Sequence, residues 1–250
     1  MTAVGTPVPR VDGRDKVTGG ARYSAEVQVP RVTYMAIVGA TVASGRITGI
    51  DASAALAADG VLGVITHEDL PKIAAPSHLL PSLLGQPAPG MSFFPMQDDV
   101  VHYAGQPVAL LVADSYERAQ YAARLIRVDY ETRAAVTTID QGRADAYEAE
   151  RLFGGLMPGR DERGDVQAAL TEAAARVDVS YRMAANHHNA LEPPSTIALW
   201  RDDRLTLYES TMGVRATQMT VAYLLGVPVT HVHVITHFVE IGRASCRERV

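Results

Sequence analysis

An α/β (α+β) fold arranged as two units is predicted by three observations. Residues 107–113 (PVALLVA) form a continuous apolar run, the mark of a strand buried on both faces, and a helical segment (115–125) and a strand (126–130) follow it. Further along, a hairpin pattern at 197–208 is followed by an amphipathic helix at 213–225 and an alternating strand at 232–239. Between these groups, residues 141–164 have few periodic apolar positions and contain Gly154-Gly155 and Pro158-Gly159, which suits a linker.

Taken in order, residues 33–40 (TYMAIVGA) read as a buried strand and residues 46–50 as a second. An alanine-rich helix over 51–58 is capped by Asp51 or Ser53, and 61–66 is a third strand. Residues 68–98 are rich in Pro and Gly with short apolar patches such as Leu79-Leu80 and Phe93-Phe94, the composition of a long surface excursion. The run 107–113, the helix capped by Asp114 or Ser115, and the strand after it read as a β-α-β unit, and this first domain ends near residue 135. In the second half, 165–175 is helical and 177–183 alternates like a half-buried strand. The hairpin turns at Asp202-Asp203, and the helix at 213–225 stops at Gly226 with Pro228 just beyond.

Composition excludes several function classes. With 47% hydrophobic residues over 250 positions the chain can bury a core, and its formal charge is −5. Nucleic acid is an unsuitable partner, because Lys16 and Lys72 are the only lysines and the arginines are scattered. No apolar run approaches the roughly 20 residues of a membrane span, and residues 1–14 lack the apolar core of a secretory signal. A single cysteine, Cys246, excludes an internal disulfide framework and a cysteine-held iron–sulfur cluster. It lies in a final stretch, 240–250 (EIGRASCRERV), with neither strand nor helix period. That stretch matches the in-frame translation of a common sequencing adapter, so 240–250 is expected to be a non-native tail and the natural sequence to continue differently after Val239; the alternative is an ordinary basic C-terminus.

The residues offer few chemical sites unaided. His187, His188 and Glu192 could ligate a metal, but adjacent histidines on a strand point to opposite faces and a structural turn explains them better. His231, His233 and His237 repeat with strand spacing, which a half-exposed strand face accounts for, and no metal ligands are assigned. There is no dinucleotide fingerprint, no phosphate-binding P-loop and no nucleophile elbow; Gly19-Gly20 is only a turn.

Several strings together resemble the molybdenum-cofactor-binding subunits of the xanthine dehydrogenase/aldehyde oxidase family, aldehyde oxidoreductase branch. They are 10–23 (RVDGRDKVTGGARY), 45–51 (GRITGID), 54–66 ending in GVLGVIT, 103–113 (YAGQPVALLVA), 117–123 with 128–131, Gly164-Asp-Val166, His187-His188 with Glu192-Pro193, and 208–211 (YEST). The resemblance runs in the family's order over nearly all of 10–239. It implies an α/β hammerhead domain (1–140), a linker (141–163), the truncated start of the molybdopterin-binding domain (164–239) and the tail (240–250). It also implies oxidative hydroxylation of an aldehyde or N-heterocycle at a molybdenum–pterin cofactor, with a glutamate as base beyond Val239 and no catalytic residue in this span. Iron–sulfur clusters and FAD would be carried by partner subunits. The setting would be cytoplasmic or periplasmic, with any export signal on a partner.

Two departures from the family pattern bear on the site. Met212 stands where the family usually has a glutamine whose amide bonds an oxygen ligand of molybdenum, and after Val239 Glu240 replaces a glycine-rich loop that approaches the cofactor. Met212 and Gly213 are therefore the candidate cofactor-binding residues, and the 250-residue product is expected to bind no cofactor and to be inactive. The alternative is a non-catalytic scaffold that docks an electron-transfer subunit.

Overall fold

The computed structural model describes residues 5–7, 9–73, 94–152, 157–184 and 189–239. Their contacts divide them into two units, one of residues 29–73 and 94–149, the other of residues 5–28 and 150–239.

The first unit carries strands β1 (Tyr34–Gly39), β2 (Gly45–Asp51), β3 (Val61–Thr66), β4 (Val100–Val101), β5 (Pro107–Ala113) and β6 (Arg127–Thr132). Its helices are α2 (Ser53–Leu56), α3 (Tyr116–Ala123) and α4 (Ile139–Gly142); α1 (Gly13–Thr18) belongs to the other unit. Two three-stranded sheets form, with orders β1-β5-β3 and β4-β2-β6, and every pairing is antiparallel. Helix α3 packs on the first sheet through Ala119 and Ala122, both fully buried against Leu111 and Ala113 of β5; alanines at these positions let helix and sheet approach closely. Ser115 caps α3, its side chain accepting from the Arg118 amide at 3.3 Å. A second cluster of Ala40, Ile47, Val101 and Val108 fills the space by the other sheet.

Two expectations fail here. Strands β5 and β6 flank α3 but lie in different sheets, so no β-α-β unit forms: both edges of β5 are taken by β1 and β3, while β6 pairs with β2 from Gly45↔Thr132 to Asp51↔Arg127. The helix expected over 51–58 shrinks to four residues after Ala52, and Asp51 instead accepts from the Ser53 amide at 2.9 Å and its hydroxyl at 2.6 Å. Most of the Pro- and Gly-rich excursion lies outside the described residues.

The second unit begins with α1 (Gly13–Thr18), closed by Gly19 at φ +74°, and a 3-10 turn at Ser24–Glu26. It resumes with the short pair β7 (Arg151–Leu152) and β8 (Met157–Pro158) inside the expected linker, then α5 (Val166–Glu172). Residues 173–184 hold no strand. Val177, Tyr181 and Met183 are almost fully exposed and no neighbouring strand among the described residues uses their alternation. Strands β9 (Thr196–Arg201) and β10 (Arg204–Glu209) form the expected hairpin, with Asp202 at φ +54° in its turn. Helix α6 (Val214–Leu225) then crosses over to β11 (Val232–Ile235), which pairs parallel to β10. Gly226 ends α6 at φ +65°, and β11 stops at Ile235, short of Val239. Leu205, Leu207, Ala222, Val232 and Val234 make the core between sheet and helix. The turn at Ser24–Glu26 contacts β9 and β10, so the N-terminal residues are part of this unit.

Candidate functional site

Because β10 and β11 run parallel with Tyr208 opposite Ile235, the residues that leave them emerge side by side at one end of the sheet. The first residue of α6 follows within a few positions of β10, so Ser210, Thr211, Met212 and Gly213 lie where the strand's carboxyl end meets the helix N-terminus. Such crevices bind ligands in crossover folds, since helix N–H groups point into them. The two chain segments are tied together by Thr236, whose hydroxyl donates to the Glu209 carbonyl at 2.7 Å.

Hydrogen bonds fix the turn from β10 into α6. The Ser210 hydroxyl donates to Glu192 Oε1 at 2.6 Å, the Ser210 amide donates to the Ser195 carbonyl at 3.2 Å, and the Ser195 amide reaches the Ser210 hydroxyl at 3.4 Å. Thr211 Oγ1 accepts from the Gly213 amide at 3.1 Å and lies 3.0 Å from Thr217 Oγ1. The intrahelical ladder starts with the Thr217 amide on the Gly213 carbonyl at 2.8 Å, which leaves the amides of 214–216 facing out of the first turn. Met212 is 66% exposed. Gly213 has φ −127°, and a Cβ there would meet Ala216 Cβ at an ordinary 3.5 Å, so neither strain nor crowding demands glycine.

Charge gathers at the N-terminal segment of this unit. Lys16 sits 5.6 Å from the Phe238 ring centroid, on the residues that follow β11, and bonds Asp12 at 2.9 Å. Lys16 and Arg10 beside it hold the Asp12 carboxyl down, from the ordinary 3.8 to about 2. Glu26 is lowered by the Tyr23 amide it accepts from and by Arg22.

The histidines considered as ligands do not converge. His231 pairs with Asp203 at 3.2 Å, His233 is exposed on β11, and His237 lies past the strand's end, while His187 and His188 fall outside the described residues. Among the described residues, no group of three His, Cys, Asp or Glu side chains could hold a metal ion. Glu192 is buried, 4% exposed, as the partner of Ser210. Sequence reasoning considered it as a metal ligand and as part of the Glu192-Pro193 string that carries the resemblance, not as the partner of Ser210; the signal it left was a carboxylate next to prolines ahead of a hairpin.

Comparison with known proteins assigns both units. Residues 18–134 match the family described as "Aldehyde oxidase and xanthine dehydrogenase, a/b hammerhead domain", and residues 154–239 match "Molybdopterin cofactor-binding domain". The molybdenum-binding subunit of aldehyde oxidoreductase, PaoC, from Escherichia coli K12 is 33% identical over 241 residues, covering 96% of this chain and 31% of that protein. Xanthine dehydrogenase from Blastobotrys adeninivorans is 30% identical, with 92% of this chain and 16% of that protein covered. Among solved structures, aldehyde oxidoreductase from Desulfovibrio gigas superposes with a TM-score of 0.71 at 26% identity, covering 93% of this chain and 26% of that one. The chain thus spans about a third or less of the length of these relatives. It belongs to the aldehyde oxidase and xanthine dehydrogenase family, as the α/β hammerhead domain followed by the start of the molybdopterin cofactor-binding domain.

Proposed function

We propose that this chain is part of the molybdenum-cofactor subunit of an oxidoreductase that hydroxylates aldehydes or N-heterocycles, and that Met212 and Gly213 lie on the cofactor's edge of the β10–α6 turn. The observation that carries the reading is the match of residues 154–239 to a molybdopterin-binding domain over the stretch where two parallel strand ends and a helix N-terminus meet. The donor set fits such a group along one edge: the amides of 214–216 can donate to anionic or carbonyl oxygens of a pterin cofactor. Side chains add little there. The Ser210 and Thr211 hydroxyls are engaged within the protein, and the Met212 thioether has no N–H. When bound, a molybdenum–pterin group supplies two-electron oxidation; the residues of this span hold the turn and present its backbone. Electrons leave through partner subunits that carry iron–sulfur clusters and FAD.

The two-thirds exposure of Met212 supports the reading that this span by itself retains no cofactor and does not turn over. A hybrid tests the reading: residues 10–239 replace the matching span of PaoC, and the product is made with cofactor-assembly machinery. Molybdenum in the hybrid with aldehyde-dependent dye reduction is the expected result; a folded hybrid devoid of molybdenum would sink the proposal. Stoichiometric molybdenum on the 250-residue chain alone would refute its inactivity.

A further inference from the structure

We infer that Glu192 is a positioning residue that sets the Ser210–Gly213 turn and with it the direction of the α6 amides. The inference rests on the functional reading above only for what those amides bind. Glu192 precedes the β9–β10 hairpin, is 4% exposed, and accepts the Ser210 hydroxyl at 2.6 Å. Ser210 is the first residue beyond β10, and its hydroxyl also receives the Ser195 amide at 3.4 Å. One side chain therefore links three points: the segment before β9, the open end of the hairpin, and the turn into α6. Ser195 Oγ is buried with no hydrogen-bond partner among the described residues, so its hydroxyl adds no bond of its own to the Ser210 turn. Downstream the constraint passes along the backbone, because Thr211 Oγ1 holds the Gly213 amide at 3.1 Å and Gly213 starts the helical ladder. Rotation of Ser210 would swing Thr211, and the cap of α6 would lose its acceptor.

At this buried corner the carboxylate supplies the acceptor oxygen that the Ser210 hydroxyl uses. Glu192→Gln keeps an acceptor in the same place, while Glu192→Ala leaves the Ser210 hydroxyl without one.

Amide hydrogen exchange on the 250-residue chain reads the first half of the inference. Glu192→Ala is expected to speed exchange of the bonded Ser210, Gly213 and Thr217 amides about tenfold, the loss of one buried hydrogen bond, with residues 220–225 of α6 unchanged. Glu192→Gln restores exchange to within about threefold, and Ser210→Ala reproduces the Ala effect from the other side. Unchanged exchange at the Ser210, Gly213 and Thr217 amides, or an equal rise across the whole unit, overturns the positioning role. If Glu192→Ala unfolds the chain, the Gln and Ser210 variants decide the same question. In the hybrid, molybdenum content per chain is expected to fall with Glu192→Ala and to recover with Glu192→Gln. Faster exchange without loss of molybdenum overturns the cofactor assignment of the turn and leaves the positioning intact. A hybrid that holds no molybdenum with Glu192 in place defeats the functional reading, and the exchange pattern still decides the positioning.

Discussion

Gln106 offers the sharpest test of how the first unit is held. Its side chain is 3% exposed and bridges two backbone groups, Oε1 accepting from the His102 amide at 2.8 Å and Nε2 donating to the Val100 carbonyl at 2.7 Å. Val100 opens β4 and His102 follows its last residue; β4 has only two register pairs with β2, so the two Gln106 bonds reinforce a short ladder. Gln106→Leu preserves volume and strips both partners. At about 1–2 kcal/mol for each backbone group left unpaired, the unit should lose about 2–4 kcal/mol. Gln106→Glu gives a second handle. It keeps the acceptor for His102 but puts an oxygen against the Val100 carbonyl, so the neutral acid, which can donate, is favoured. The folded-state pKa of the introduced carboxyl then lies above its unfolded value. Its penalty is therefore largest at neutral pH and shrinks as pH falls through the folded value. Native-state amide exchange of β5 measures both. Trp200, the single tryptophan, lies in the other unit and serves as an internal control. A Gln106→Leu loss below about 0.5 kcal/mol, or a Gln106→Glu penalty that grows on acidification, would refute the bridging argument.

Other outcomes follow from the same geometry. Leu111→Ala, at a fully buried site in the centre of β5, should cost about 2–5 kcal/mol in urea unfolding followed by circular dichroism. Gln218→Leu strands the Val229 and Val232 carbonyls, which accept from its Nε2 at 3.1 and 2.6 Å; a loss of about 1–3 kcal/mol should appear in Trp200 fluorescence, in the same unit. Asp12 should titrate near 2 by carboxyl NMR, its contribution complete above the ordinary 3.8 and lost as pH falls through about 2. Lys16→Ala should return Asp12 toward the ordinary value. In the hybrid, Met212→Gln should raise aldehyde turnover by roughly tenfold, the effect of one added amide donor; no change would remove position 212 from the site.

What the sequence revealed tracks how local each determinant is. Residues 61–66 and 107–113 were legible as strands because β-branched and apolar residues crowd between turn formers, and Gly226 announced the end of α6 by itself. The β9–β10 hairpin was equally plain from Asp202-Asp203. Pairing across distance was not: nothing near 127–132 says that its partner is β2 some eighty residues earlier, and the helix between β5 and β6 suggested the wrong topology. The alternation at 177–183 misled because a period of two describes a strand only when a sheet receives it. At the candidate site, Met212 and Gly213 stood out only by resemblance, since backbone amides leave no mark in side-chain chemistry. The Glu192–Ser210 bond joins residues 18 positions apart and has no periodic signature at all.

The placement of the Ser24–Glu26 turn against β9 and β10 has a consequence for biosynthesis. Roughly 170 residues separate that turn from the first strand it meets, so at 5–20 residues per second the N-terminal arm waits on the order of ten to thirty seconds for its docking surface. In that interval the antiparallel sheets of the first unit can close from residues already synthesised. The ribosome thus hands over a finished domain with a loose leader, and the arm anneals only when the hairpin emerges.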